Sequence, residues 1–171
     1  FFVPVSYETT RILKRGILSE IREVAPLAIP SVGDVKGGFF HENGFVMEKP
    51  HGRVPWAHIV ASENFGTVIT ENSLGFSFVR NAGMKKLTPH DADNMREDSG
   101  ERLLLRIFDR FDVERYEDFD LVASSKYVNY AFGYAEYIGQ VEGIWYRVTV
   151  SVVGKHDMKK ISVRLESGSM E

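Results

Sequence analysis

The chain contains no cysteine anywhere in its 171 residues. Disulfides, thiolate nucleophiles and cysteine-ligated zinc are excluded together, and a reducing, cytoplasmic location is expected. No apolar run approaches the roughly 20 residues that a membrane-spanning helix needs. The opening Phe1-Phe2-Val3-Pro4-Val5 is too short for a signal peptide and lacks basic flanks. Position 1 is not methionine, which points to a fragment or a processed piece. Neither a GxSxG nucleophile signature nor a glycine-rich phosphate loop is present. The net charge of -3 gives no general pull toward nucleic acid or acidic membranes. The five histidines (His41, His51, His58, His90 and His156) are scattered, with no two at ligand spacing on one element. Asp91, Asp93, Glu97 and Asp98 lack the glycine and the distal bidentate glutamate of a helix-loop-helix calcium site, so they read as a solvated acidic loop. Neither a metal nor a cofactor is expected.

What remains is a globular composition, 43% hydrophobic and 26% charged, at a length that suits one domain with a real core. One helix is expected, from Ser6 to Val24. Ile12, Leu13, Ile17, Leu18 and Ile21 recur at helical spacing, and Pro26 and Pro30 end the run. It reads as a cover for a sheet edge or face, or as a docking helix. The division expected is therefore an N-terminal helix and linker over 1–34 and a β-sandwich domain over 35–171.

From Val35 onward the chain reads as strand and turn. Asn43-Gly44 between Gly38-Phe39-Phe40 and Phe45-Val46-Met47 is the strongest hairpin signal. Gly37-Gly38 itself is read as a matter of strand backbone conformation. Ala57 to Val60 and Phe65 to Thr70, three residues apart, predict a second hairpin. Gly75 to Val79 alternates like a half-buried strand. Phe111 to Asp120 reads as a charged connector and Leu121 to Ser124 as a strand. Tyr127, Tyr130, Phe132, Tyr134 and Tyr137 mark an aromatic-rich pair of strands. Ile144, Tyr146, Val148, Val150 and Val152 alternate with Trp145, Arg147, Thr149 and Ser151, turn at Gly154 to Asp157, and return as Ile161, Val163 and Leu165 with Lys160, Ser162 and Arg164 outward. The fold expected is mainly all-β: an antiparallel β-sandwich of the large type, incomplete, with one N-terminal helix.

Between the strands lies one long polar stretch, Arg80 to Gly100. Compact domains keep such a connection mostly for function. Its candidate side chains are Arg80, Lys85, Lys86, His90, Asp91 and Arg96, able to meet phosphate or sugar hydroxyls, or to form a solvated face or subunit contact. Trp56, Tyr127, Tyr130, Tyr134, Tyr137 and Trp145 could stack on sugar rings or pack as core and cross-strand pairs. Glu97, Asp98 and Glu101 could supply a carboxylate pair for glycoside chemistry, though any acids in a loop would serve as well.

The ordered set Gly37-Gly38-Phe39-Phe40-His41-Glu42-Asn43-Gly44, Pro55-Trp56, Asn64-Phe65-Gly66, Leu74-Gly75-Phe76-Ser77-Phe78, Lys86-Leu87-Thr88-Pro89, Asp98-Ser99-Gly100-Glu101, Leu103-Leu104-Leu105-Arg106, Phe132-Gly133-Tyr134, Glu142-Gly143-Ile144 and Val148-Thr149-Val150 resembles the N-terminal β-sandwich domain of inverting glycoside phosphorylases, the cellobiose phosphorylase, chitobiose phosphorylase and cyclic β-1,2-glucan synthase group. The resemblance covers roughly Gly37 to Glu166. It implies a domain that is not itself catalytic. In the family a helical barrel follows it and carries the catalytic Asp, which protonates the leaving glycosidic oxygen while inorganic phosphate, a co-substrate, attacks the anomeric carbon. The partners implied are that missing barrel, a β-linked oligosaccharide and a second subunit, with no nucleic acid and no membrane. The domain would shape the substrate entrance and subunit contacts. Where some relatives carry Trp after Leu-Thr-Pro, this chain has His90, so a substrate preference does not carry over.

Overall fold

The computed structural model describes residues 33–35, 38–41, 43–49, 55–89, 100–109, 111–112 and 114–167. The helix expected over Ser6 to Val24 lies outside them.

Twelve strands follow one another along the described chain. They are β1 (Gly33–Val35), β2 (Gly38–His41), β3 (Gly44–Glu48), β4 (Ala57–Ala61), β5 (Phe65–Thr70), β6 (Phe76–Val79), β7 (Leu104–Phe108), β8 (Tyr116–Asp120), β9 (Tyr127–Ala131), β10 (Tyr134–Val141), β11 (Ile144–Val153) and β12 (Met158–Ser167). Every pairing is antiparallel. A seven-stranded sheet runs in the order β1-β2-β3-β9-β10-β11-β12, and smaller sheets are formed by β4-β5-β6 and by β7-β8. This is an antiparallel β-sandwich, mainly β as expected. Among the described residues, no helix is long and apolar enough to cross a membrane.

Register explains the core. Phe40, Phe45, Tyr130, Ala135, Val150 and Ile161 are successive cross-strand neighbours in one row of the large sheet. Met47, Val128, Tyr137, Val148 and Val163 form the next row. Because side chains alternate faces with period two, both rows fall on one side. There Met47, Val128, Tyr137 and Val148 are fully buried and join Ile69 and Leu74 from the small-sheet segment. The alternation read in Tyr146, Val148 and Val150 is the alternation observed in β11. The hairpins expected at Asn43-Gly44 and at Ser62 to Asn64 are the β2–β3 and β4–β5 connections.

Two expectations change. The connector Phe111 to Asp120 ends in a strand, β8, pairing with β7 from Leu104↔Asp120 to Phe108↔Tyr116. Leu121 to Ser124 is a turn, although Leu121 and Val122 are buried. Asp120 Oδ1 accepts from the backbone N–H groups of Val122 (3.0 Å) and Ala123 (3.1 Å), and the Asp120 carbonyl accepts from Ser124 N (2.8 Å). A side chain that captures its own downstream amides closes a turn irrespective of how apolar the next residues are. Lys49 holds this turn from across the core edge. Its ammonium reaches the carbonyls of Glu71 (2.6 Å), Val122 (2.9 Å) and Ala123 (3.1 Å), and Ser125 Oγ (3.2 Å).

Candidate functional site

The polar stretch after β6 begins with a reversal. Arg80 takes a left-handed backbone conformation (φ 58°), its N–H donating to the Asn64 carbonyl at 2.9 Å and its Nε to Asn64 Oδ1 at 3.3 Å. Asn81 Oδ1 then accepts from Gly83 N (2.9 Å) and Met84 N (3.1 Å), a local turn of the kind asparagine favours. The chain doubles back along β6: Val79 N donates to Lys85 O (3.0 Å), Phe78 bridges Lys86, and Leu87 N donates to Ser77 O (2.8 Å). Beyond the point where the sequence alternation stops, the chain is thus pinned back onto β6 through one isolated bridge and its flanking hydrogen bonds.

The two feet of the segment 89–100 are tied together. On one side Thr88 Oγ1 accepts from Ser77 N at 2.9 Å and donates to Glu101 Oε1 at 3.0 Å. On the other, Glu101 N donates to the Gly75 carbonyl at 2.8 Å. Gly75 and Gly100 both have positive φ (59° and 115°), and a Cβ on Gly100 would run into the Gly75 carbonyl, so a side chain is excluded at that crossing.

An ion pair between the buried ammonium of Lys159 and half-buried Glu101 closes the arrangement. Glu101 Oε1 also accepts from Ser77 Oγ at 2.7 Å, and Glu101 Oε2 lies 2.9 Å from Lys159 Nζ. Lys159, only 7% exposed, donates further to Leu74 O (2.7 Å) and Thr67 Oγ1 (2.9 Å). Burial draws the ammonium below the ordinary lysine range, opposed by the charge and hydrogen bond of Glu101. Both carboxylate oxygens of Glu101 are thereby engaged in holding structure. Lys159 was missed, yet a signal existed: it shares parity with Ile161, Val163 and Leu165, the inward row of β12.

Of the candidate residues, Arg80, Lys85 and Lys86 lie together on the reversal and are exposed, with Lys86 Nζ 4.9 Å from the centre of the Phe76 ring. His90, Asp91 and Arg96 lie outside the described residues, as do Glu97 and Asp98. Among the described residues, no group of three His, Asp or Glu side chains is placed to hold a metal ion.

The aromatic candidates separate. Tyr130 and Tyr137 are buried, their hydroxyls donating to the carbonyls of Trp56 (2.9 Å) and Thr70 (2.8 Å). Trp56 is 41% exposed and stacks on Phe45 at 5.3 Å. Tyr127, Tyr134 and Trp145 are half-buried on the opposite side of the large sheet. His58 is a packed residue, stacked on Tyr130 at 5.0 Å with Nε2 3.0 Å from Ala131 O. Elsewhere, a groove of about 360 Å³ opens beside the β7–β8 hairpin, where exposed Phe108 and Tyr116 are flanked by Asp109, Arg115, Glu117 and Glu142.

Comparison with known proteins gives one family. The supersandwich domain of glycosyl hydrolase 94 matches residues 43–171. No curated protein matches the chain.

Proposed function

Because the chain belongs to the glycosyl hydrolase 94 supersandwich family, whose domain is a non-catalytic part of those enzymes, we propose that it serves a cytoplasmic, homodimeric β-glucoside phosphorylase of the cellobiose or oligoglucan type. Its task there is to shape the substrate entrance and a subunit contact with the segment from Arg80 to Gly100. The observation that carries this reading is the clamp at the base of that segment, in which Thr88, Ser77, Glu101 and Lys159 fix both feet at one point. The clamp sets where the excursion leaves the sandwich and where it returns. Arg80, Lys85 and Lys86 then add positive potential beside a route taken by phosphate and sugar. The catalytic portion supplies the acid, and inorganic phosphate is the nucleophile.

The test is kinetic. In the enzyme that joins this domain to its catalytic portion, Arg80→Ala, Lys86→Ala and His90→Ala should raise KM or lower kcat, at a cost of about 1–3 kcal/mol of transition-state stabilisation, with little change in melting temperature. The isolated 171-residue chain should release no glucose 1-phosphate from cellobiose or longer β-glucans. Unchanged kinetics in all three variants, or release by the isolated chain, overturns the reading.

A second reading, a free-standing carbohydrate-binding module, is favoured by the groove beside β7–β8. Exposed Phe108 and the face of Tyr116 not covered by the Arg106 guanidinium offer apolar surface to a pyranose, and the surrounding acids and Arg115 offer planar partners for its hydroxyls. Titration of the chain with β-glucan oligosaccharides, alongside Tyr116→Ala, decides this one.

A further inference from the structure

The side chains of the large sheet that turn away from the core form a second surface, where Gln140, Ser162 and Arg164 are exposed. A line of polar groups crosses it. His41 on β2 stands opposite Gly44, which carries no side chain, and its Nε2 reaches past β3 to lie 3.0 Å from Asn129 Oδ1 on β9. Asn129 Nδ2 donates to Glu136 Oε2 on β10 at 3.4 Å, and Glu136 Oε1 lies 3.6 Å from Arg147 Nη1 on β11. Tyr134 and Trp145, two residues before Glu136 and Arg147 on the same strands, share this face and are half-buried.

The line is loosely closed. A separation of 3.4 Å is at the outer limit of a hydrogen bond and 3.6 Å is beyond it. Nε of Arg147 is shut off from solvent and has no hydrogen-bond partner among the described residues. By contrast, Arg106 and Asp118 on the β7–β8 hairpin close a two-bond pair at 2.7 and 2.8 Å. A carboxylate offers about four acceptor sites and a guanidinium five donors, so Glu136 and Arg147 leave most of their capacity unused on each other. Their side chains are 18% and 21% exposed, held in place yet within reach from outside.

We propose that this face binds a neutral oligosaccharide, with hydroxyls set between Glu136 and Arg147 and on Asn129, and sugar rings against Tyr134 and Trp145. A hydroxyl donates and accepts at once, so it bridges a carboxylate to a guanidinium across a gap the two do not close themselves. Glu136 and Arg147 cancel in charge and Asn129 has none, which favours an uncharged ligand. The two aromatic residues supply apolar surface for the C–H faces of the rings. From β2 to β11 the line crosses four strand spacings, about 19 Å, the dimension of a chain of sugars rather than of one. The site shares no residue with the groove beside β7–β8, and its failure leaves the kinetic test of the Arg80–Gly100 segment untouched.

The two tryptophans make the test direct, because Trp145 lies on this face and Trp56 stacks on Phe45 on the other. Cellohexaose and laminarihexaose are titrated into the full 171-residue chain, followed by calorimetry and tryptophan emission. At least one should bind, with an emission change that persists in Trp56→Phe and disappears in Trp145→Phe. Asn129→Ala and the isosteric Glu136→Gln should each raise Kd about tenfold with unchanged far-UV circular dichroism, and Tyr116→Ala should not raise it. Glucose should bind at least about tenfold more weakly than the hexasaccharide. Absence of binding by both probes overturns the proposal, as does binding indifferent to Asn129→Ala and Glu136→Gln. Binding lost in Tyr116→Ala while both of those variants retain it places the sugar in the other groove and overturns it too.

Discussion

The ammonium of Lys159 lies 2.9 Å from Oε2 of Glu101, and its remaining two N–H bonds go to Leu74 O and Thr67 Oγ1. All three donors of the lysine are used, and Glu101 spends its other oxygen on Ser77 and Thr88. A buried pair of this kind contributes little relative to an apolar replacement, but breaking it strands a charge out of water. Glu101→Ala should therefore destabilise the fold by about 3 kcal/mol. Glu101→Ala combined with Lys159→Met should cost clearly less than the sum of the single variants. Urea denaturation of the four proteins checks this, and strict additivity would show that the two residues act independently.

Lys49 offers a different kind of anchor, a cation whose ammonium joins the Glu71 carbonyl to those of Val122 and Ala123 in the Leu121–Ser124 turn. Replacing it by Met removes those bonds and leaves acceptors near the core edge unmatched, at a cost of about 2 kcal/mol. Hydrogen exchange should show the amides of Val122 and Ala123 opening in that variant before the β9–β10 ladder does. If exchange there stays at the wild-type rate, the lysine is not what closes the turn.

His58 makes stability depend on pH. Burial holds its imidazolium below the ordinary value of 6.5, with the backbone at Ala131 and Tyr134 offsetting only part of the effect. The folded state therefore prefers the neutral ring, and the unfolded chain binds a proton first as pH falls. The contribution is fully present above pH 6.5 and is lost on acidification between that value and the lower folded-state one. Melting temperature should fall more steeply through this window in the wild type than in His58→Gln. Parallel curves would assign the acid sensitivity to other groups.

Much of this fold was legible because alternation and turn chemistry agree in it. β11 announces itself through Tyr146, Val148 and Val150, and Asn43-Gly44 marks the β2–β3 hairpin. The misread elements are those where one local contact overrides the pattern. Leu121 and Val122 look like strand residues, yet the Asp120 carboxylate bends them into a turn that carries them into the core. β8 is masked by charge, since Glu117 and Asp118 face solvent and its inward residue is Phe119. Gly38, read as a matter of backbone conformation, is a matter of space: a Cβ there would meet the Phe45 ring and the Val46 carbonyl. At the candidate site, the exposed trio Arg80, Lys85 and Lys86 could be read from sequence. The clamp beneath it could not, because Glu101 and Lys159 are 58 residues apart and only the register of β12 turns the lysine inward.

The clamp also decouples length from position. With Thr88 and Glu101 joined at their side chains, whatever lies between them starts and finishes at fixed coordinates. For a flexible segment held at both feet, doubling its length adds only about 0.6 kcal/mol of closure entropy. The sandwich is in this sense a socket: excursions of different length and chemistry can be exchanged in it while the strands that carry them stay in register.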